Sequence, residues 1–295
     1  MLSLSLSGLP FFFAKAKAYF ELLKFRLSFL VAFSCIFGYV LASPVINWLA
    51  LTMLFVGGFL MSGCSVILNQ VIEKDLDALM SRTRNRPLPT ARLSVGEGLT
   101  FGLLCFAAGT IILMLWTNLL TTSLSVLSMI LYSFVYTPLK RVGPVAVFVG
   151  AIPGALPPLL GWTASTGVIG YEALIIFGIQ FIWQFPHFWA IAWVADEDYR
   201  KAGFKLLPSG GEKDINTAIQ IMIYTMCLIP LGLLPASFGI TGINSAIVAT
   251  VCGVLFFAQT FSLMRSGDRR SALKIMFGSF LYLPIVQIAY LLDKI

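Results

Sequence analysis

The stretch NQVIEKDLDALMSRTRNRPLPT, residues 69–90, places three acids and four basic residues between two long apolar segments. The chain of 295 residues is otherwise poor in charge, with 58% hydrophobic and only 11% charged residues. A soluble domain carries about 25% charged residues. The composition therefore predicts an all-α polytopic membrane protein, in which residues 69–90 connect two membrane spans.

Apolar segments long enough to cross a bilayer, about 20 residues each, recur along the whole chain. We predict nine spans in one domain that covers residues 1–295, with motif loops at 69–92 and 196–215. The predicted spans are 23–42, 48–69, 97–116, 119–137, 143–163, 172–195, 216–236, 243–263 and 272–292. Residues 1–22 have neither a charged segment ahead of an apolar run nor an arginine, so we expect an amphipathic helix on the membrane surface and no cleaved leader.

The basic residues orient the predicted spans. Nineteen of the 20 Lys and Arg residues fall before span one or in alternate connections, and only Lys294 falls on the other side. Because basic loops stay in the cytoplasm, we predict a prokaryotic inner-membrane protein with a cytoplasmic N-terminus and an external C-terminus. Topology therefore explains the net charge of +7, which does not indicate nucleic-acid binding.

The acids of residues 69–90 need a different explanation, since acids add nothing to this rule. Asn69, Glu73 and Asp77 recur every fourth residue and so line one face of a helix that continues span two. Asp75 points about 200° away from Glu73 around the same helix. Two carboxylates and an amide on one stripe suit Mg²⁺, which takes oxygen ligands together with substrate phosphates. A solvated, salt-bridged loop is the alternative.

Arginines follow the acids. Arg82 and Arg86 share a face if this segment stays helical, with Arg84 between them, until Pro87 and Pro89 end the helix. Guanidinium groups bind phosphate oxygens in pairs. Acids for a metal beside arginines for phosphate indicate a metal-bridged diphosphate site.

The end of span six repeats this order of charges. The acids Asp196, Glu197 and Asp198 precede the bases Arg200, Lys201 and Lys205, four spans after the first cluster. This spacing predicts two similar four-helix halves and a ninth helix, with a charged mouth between the halves. A second polar loop is the simpler alternative.

The only histidine, His187, lies 11 residues before Asp198, which is about 16 Å along a helix and well inside the bilayer. Trp183 and Gln184 lie one turn before it. An ionisable residue at that depth is a functional candidate. It either contacts a polar substrate group, ligates a haem iron, or hydrogen-bonds a neighbouring helix. One histidine and five scattered cysteines exclude a zinc or disulfide framework.

Several segments together resemble the UbiA superfamily of intramembrane prenyltransferases. NQVIEKDLD (69–77) is similar to its first Asp-rich motif, with Glu73 in place of the middle Asp, and DEDYRKAG (196–203) is similar to its second, with Arg200 in place of an Asp. YTPLKR (136–141), GALPPLLGW (154–162), WQFPHFWAIAW (183–193) and DYRKAGFKLLP (198–208) resemble the branch that farnesylates haem B.

The resemblance implies a UbiA-like bundle with a cytoplasmic active-site mouth. It implies that farnesyl diphosphate and haem B react to give haem O, with Mg²⁺ as cofactor. Haem O would then be used in the synthesis of haem for terminal oxidases. The catalytic residues it implies are Asn69, Glu73, Asp77 and Asp198, which with Asp196 also bind the metal. Diphosphate would bind Arg82, Arg86, Lys140, Lys201 and Lys205. Haem would bind His187, Gln184 and Trp183, and Tyr132, Tyr136 and Trp183 would face the allylic cation.

The other partners implied are the lipid bilayer, haem A synthase and oxidase assembly proteins. Two other functions remain open from the sequence. An enzyme of the same superfamily could prenylate an aromatic quinone precursor, and a transporter could use membrane acids as ion sites. The acids here cluster at one side of the membrane together with arginines, which favours the enzyme.

Overall fold

The computed structural model describes the backbone of residues 8–295 and the side chains of residues 13–295. All regular structure in this range is helical, apart from one isolated bridge between Thr241 and Lys294. The helices are α1 Gly8–Leu22, α2 Phe25–Ala42, α3 Trp48–Ile72, α4 Lys74–Leu79, α5 Val95–Trp116, α6 Leu119–Ile130, α7 Thr137–Leu139, α8 Val145–Thr166, α9 Tyr171–Val194, α10 Asp196–Lys201, α11 Ile215–Ser237, α12 Ile243–Ser266 and α13 Arg269–Leu292. A π-helical turn, Leu131–Tyr136, joins α6 to α7.

The predicted spans are confirmed to within a few residues at each end. Within residues 8–295, nine helical segments are long and apolar enough to cross a membrane, from Phe25–Ala42 to Arg269–Leu292. The fourth, Leu119–Leu139, runs unbroken through the π-helical turn. The protein is therefore a multi-pass membrane protein. Of the predicted surface helix, residues 1–7 lie outside the described residues and residues 8–22 form α1, whose position on the membrane surface stays a prediction.

Local sequence signals begin several spans. Asn47 accepts hydrogen bonds from the amides of residues 49 and 50 at the start of α3, and Asp268 accepts one from Ser271 at the start of α13. Ser94 and Glu97 form a reciprocal capping box at the start of α5. These caps satisfy amides that have no partner inside their own helix.

The first four spans form a first half of the bundle and the remaining spans a second half, and each half has one helix that packs on several others. In the first half α3 packs on α2, α5 and α6, and in the second half α9 packs on α8, α11 and α13. The halves meet where α2 and α6 pack on α8. At this seam Gly38 and Gly161 let two backbones touch, since a Cβ at Gly161 would lie 1.9 Å from the Cys35 carbonyl. Small residues permit such close approach between membrane helices.

Proline in α8 frees a carbonyl that α9 satisfies. Pro158 has no amide hydrogen for the carbonyl of Gly154, four residues earlier. Gln180 and Gln184 of α9 each donate to that carbonyl at 2.8 Å. Side chains of the neighbouring helix thus replace the hydrogen bond that the proline removes. Backbone groups buried in a membrane bundle require such partners.

The charged stretch itself differs from the sequence prediction in one respect. Residues 80–90 form successive turns and not a helix, so Arg82 and Arg86 do not share a helical face. The turns are built by hydrogen bonds such as those from the amides of Thr83 and Arg84 to the Met80 carbonyl. Pro87 and Pro89 disfavour the α conformation in Arg86 and Leu88, so no regular helix forms in the second part of this stretch.

Candidate active site

A cavity of about 130 Å³ opens at the end of the bundle where α3 passes into α4. Its lining contains two acids and four bases, which leave a net positive charge for an anionic ligand. The charged residues are Lys24, Glu73, Asp77, Arg82, Arg86 and Lys140, with Asn69 beside them. Tyr132, Tyr136, Tyr199 and Phe204 form the aromatic part of the wall.

The predicted stripe of Asn69, Glu73 and Asp77 is present. The helix axis breaks at Glu73, yet the hydrogen-bond chain continues, from the Glu73 amide to the Asn69 carbonyl at 2.9 Å and from the Asp77 amide to the Glu73 carbonyl at 2.7 Å. Glu73 is 4% exposed and Asp77 is fully buried, whereas Asp75 is exposed. The prediction that Asp75 faces away from this stripe is therefore confirmed.

Each buried carboxylate contacts one base. Lys140 Nζ lies 2.9 Å from Glu73 Oε1 and 3.1 Å from Glu73 Oε2. Arg86 Nη1 lies 2.6 Å from Asp77 Oδ2. The two bases offset the repulsion between these neighbouring buried carboxylates.

The acids retain oxygen atoms for a divalent cation. Among the described residues, buried Asp77 Oδ1 has no hydrogen-bond partner, and buried Glu73 Oε1 has only the ion-pair contact with Lys140 at 2.9 Å. The amide nitrogen of Asn69 donates to Thr137 Oγ1 at 3.0 Å, so its oxygen is the atom available to a metal. Carboxylate and amide oxygens fit Mg²⁺. The described residues contain no group of three His, Cys, Asp or Glu side chains that could hold an ion alone, so any ion there also needs Asn69, water or substrate oxygens.

The π-helical turn shapes the aromatic wall. Its wider winding places Tyr132 and Tyr136 together on the cavity, with ring centroids 5.4 Å apart. Lys140 Nζ lies 4.7 Å from the Tyr136 ring centroid and 5.5 Å from that of Phe204. Isolated π-helical turns occur frequently at functional sites. These faces can attract positive charge inside the cavity.

Lys24 is a cavity residue that the sequence analysis used only for topology. It lies in the short connection between α1 and α2, half-buried, and lines the same cavity as Glu73 and Asp77. Burial, together with the charges of Arg86 and Lys140, lowers the pKa of Lys24 to about 7. The sequence signal that could have identified Lys24 was its position one residue before an apolar span, because a lysine there lies where the span leaves the membrane.

Asp198 contacts the first charged stretch but is not itself a lining residue of the cavity. It accepts hydrogen bonds from the amide and hydroxyl of Ser81, at 3.1 and 2.6 Å, and from the amide of Arg82 at 3.1 Å. The Ser81 hydroxyl, the two amides and Lys201 hold the pKa of this carboxyl far below its usual range. The second cluster thus holds the loop that carries Arg82, whose guanidinium also donates to the Tyr199 hydroxyl at 3.3 Å.

The structure does not bring the remaining predicted residues of the second cluster into the cavity lining. Asp196 forms ion pairs with Arg200 at 3.1 Å and Lys213 at 3.3 Å. Lys201 pairs with Asp198 at 3.1 Å, and the Lys205 side chain is exposed. Sequence analysis missed Tyr199 and Phe204, which reach the cavity from the same cluster.

The predicted haem residues lie in α9, away from this cavity's lining. His187 stacks on Trp183, with ring centroids 4.3 Å apart, and its Nδ1 lies 2.9 Å from Ser279 Oγ. Trp183 Nε1 donates to the Ser279 carbonyl at 3.0 Å. Gln184 donates a hydrogen bond to the Gly154 carbonyl in α8. The three side chains therefore join α9 to α13 and α8.

A bundle of membrane-spanning helices with a buried acid and base cavity at one end defines an integral membrane enzyme for an anionic substrate. The profile of the UbiA prenyltransferase family matches residues 31–283. A protein named "Protoheme IX farnesyltransferase" in Cytophaga hutchinsonii is 53% identical over 280 residues, which cover 95% of this chain and 98% of the relative. One in Christiangramia forsetii is 43% identical over 93% of this chain and 92% of the relative. The chain therefore belongs to the UbiA prenyltransferase family.

Solved structures share the fold. That of a digeranylgeranylglyceryl phosphate synthase has a TM-score of 0.79 and 19% identity, covering 95% of this chain and 98% of the other. A UbiA homologue from Archaeoglobus fulgidus bound to GPP and Mg²⁺ has a TM-score of 0.63 and 16% identity, covering 92% and 99%. At these identities the likeness shows that the bundle is the UbiA fold.

Proposed function

We propose that this protein transfers the farnesyl group of farnesyl diphosphate to a vinyl group of haem B, giving haem O and diphosphate. The observation that carries the proposal is the cavity, where two buried carboxylates stand among four bases at the end of a membrane bundle. Relatives of full length and 53% and 43% identity that are named for this reaction support the choice of substrates.

The charged residues of the cavity act on the leaving group. Diphosphate departs from carbon only when its developing charge is stabilised. Arg82, Arg86 and Lys140 would donate to its oxygens, while Asn69, Glu73 and Asp77 would hold Mg²⁺. When bound, the ion would supply positive charge that stabilises the leaving diphosphate. Asp196 and Asp198 stay predictions as metal ligands, and Lys201 and Lys205 as diphosphate ligands, because these four residues are not part of the lining.

The aromatic wall acts on the other fragment. Loss of diphosphate leaves an allylic farnesyl cation, which the faces of Tyr132 and Tyr136 would stabilise. The vinyl group of haem then forms the new carbon–carbon bond with this cation. Water adds to the resulting carbocation, supplies the hydroxyl of haem O and releases a proton. The enclosing tyrosines and phenylalanine keep other water from the cation before this bond forms.

His187 remains our candidate for contact with haem, together with Trp183 and Gln184. Only one ring nitrogen of His187 is engaged with Ser279, so Nε2 is the atom available to a substrate. We further propose a single domain in the inner membrane, with the cavity mouth and N-terminus in the cytoplasm. The distribution of 19 of the 20 basic residues supports this orientation.

The test is an assay of purified protein with haem B and farnesyl diphosphate, with Mg²⁺ or with a chelator. We expect haem O, identified by its mass, only with the metal. Asp77→Asn should abolish the product, whereas Asp75→Asn, the same change on the exposed side of α4, should not. Equal turnover by the two variants would refute the metal site. Farnesylation of a hydroxybenzoate in place of haem would refute the acceptor.

A further inference from the structure

Lys24 differs from the other bases of the cavity in its contacts. Lys140 contacts Glu73, Arg86 contacts Asp77, and Arg82 contacts the Tyr199 hydroxyl. In the part of the chain that the structure describes, the Lys24 ammonium group has no hydrogen bond or ion pair. A half-buried ammonium group in a cavity with excess positive charge is stabilised further when an anion enters.

The backbone of Lys24 is also unusual. Its φ of 45° and ψ of 56° lie in the left-handed region, which among the described non-glycine residues only Ala91 shares by its positive φ. A side chain with a Cβ is disfavoured there, and glycine or asparagine is the usual choice. Strained residues of this kind cluster at binding sites, where the surrounding structure holds them.

Three contacts hold this strained connection. Gln70 Nε2 donates to the Leu22 carbonyl at 2.7 Å, and Ser28 Oγ donates to the Leu23 carbonyl at 2.9 Å. The Glu21 carboxylate lies 2.7 Å from Arg92 Nη2, which ties the end of α1 to the loop that follows the arginines. Lys15 and Glu97 form a further ion pair between α1 and α5. The surface helix α1 is thereby fixed to the same loop that supplies Arg82 and Arg86.

We propose that Lys24 binds the diphosphate of the prenyl donor directly, and that α1 positions it for this contact. The proposal rests on the proposed function for the identity of the donor. It adds a residue from the first helix connection to a site that otherwise comes from α3, the loop after α4, and the segment after the π-helical turn. The physical reason is that the left-handed turn aims the ammonium group into the cavity and leaves it without a protein partner.

The first test measures binding of inorganic diphosphate, with Mg²⁺, to the purified full-length protein by calorimetry. A hydrogen bond from an ammonium group to an anion corresponds to roughly ten- to hundredfold in affinity. We therefore expect Lys24→Met to weaken binding by at least about tenfold, and Lys24→Arg to weaken it much less. Lys17→Met is the matched control, because it removes the same charge from the exposed side of α1. Binding by Lys24→Met within about twofold of the wild type overturns the proposal, as does equal weakening by Lys17→Met.

The second test separates binding from folding. Lys24→Asn relieves the left-handed strain, so we expect its thermal unfolding temperature to equal or exceed that of the wild type while diphosphate binding falls. A purely structural lysine would lower or raise stability without changing binding. Wild-type protein that binds diphosphate through Lys24 but farnesylates no haem would support the role of Lys24 and refute only the acceptor.

Discussion

Replacing Lys140 and Glu73, singly and together, separates what their ion pair does for stability from what it does for the reaction. Lys140 Nζ lies 2.9 Å from Glu73 Oε1, and the two side chains are only 10% and 5% exposed. With an effective dielectric constant of about 20, the Coulomb attraction at this distance is about 6 kcal/mol. The cost of removing both charges from water offsets most of that attraction.

We expect Lys140→Met to lower the free energy of unfolding by about 3–5 kcal/mol, because it leaves the Glu73 carboxylate buried without its base. Because Lys24 lines the same cavity and partly compensates the charge of Glu73, we expect a loss of unfolding free energy near the lower end of this range. Glu73→Gln should cost a similar amount by leaving the ammonium group unpaired. The double variant Glu73→Gln/Lys140→Met should recover to within about 1 kcal/mol of the wild type, since no unpaired charge remains. All three variants should lose farnesyl transfer.

The assay is unfolding in mixed micelles with increasing denaturing detergent, followed by tryptophan fluorescence, alongside the haem O assay. The control is Lys201→Met, which breaks an ion pair whose lysine side chain is 53% exposed and should cost at most about 1 kcal/mol. If the double variant lost the sum of the two single losses, the pair would not be coupled. That result would refute the reasoning, because a 2.9 Å contact between buried charges must couple.

Three further predictions concern residues that hold helices and loops together. Gln184→Met removes one of two donors to the freed carbonyl of α8 and a proposed haem contact, so stability should fall by about 0.6–1 kcal/mol and haem O formation should fall with it; unchanged haem O formation would refute Gln184 as a haem contact. Asp198→Asn weakens the acceptor for the Ser81 amide, so amide hydrogens of the loop after α4 should exchange faster by mass spectrometry, and unchanged exchange would contradict this role. Gly161→Ala forces α2 and α8 apart and should cost at least about 3 kcal/mol, seen as a lowered unfolding temperature, whereas Gly178→Ala, with open space around its Cβ position, should not.

The sequence was most informative where a single helix decides the outcome. The nine spans follow from apolar segments of about 20 residues, because a backbone in lipid must satisfy its own hydrogen bonds. The burial of Asn69, Glu73 and Asp77 and the exposure of Asp75 follow from helical periodicity, and the break at Glu73 does not disturb them. The failure at residues 80–90 arose from turns and prolines, for which periodicity carries no information.

The sequence was least informative about which hydrogen-bond partner each polar side chain has in the folded structure. Asp198 and Gln184 were predicted to serve substrates from their motifs, yet the structure shows them bonded to Ser81 and to the Gly154 carbonyl. Whether they also contact a substrate stays a prediction. Tyr199 and Phe204 were missed because no spacing along the chain indicates that they reach the cavity of α3.

By itself, the sequence determined that the protein is a membrane helix bundle and which carboxylates share a helical face. These properties depend on composition and on the local helical repeat. Only the tertiary structure decided that Lys140 and Arg86 meet those carboxylates, and that the strained backbone of Lys24 places a further lysine beside them. Membrane helices are apolar on nearly every face, so hydrophobic patterning cannot select their neighbours. Close contacts at glycines and buried polar pairs between distant segments determine which helices pack together.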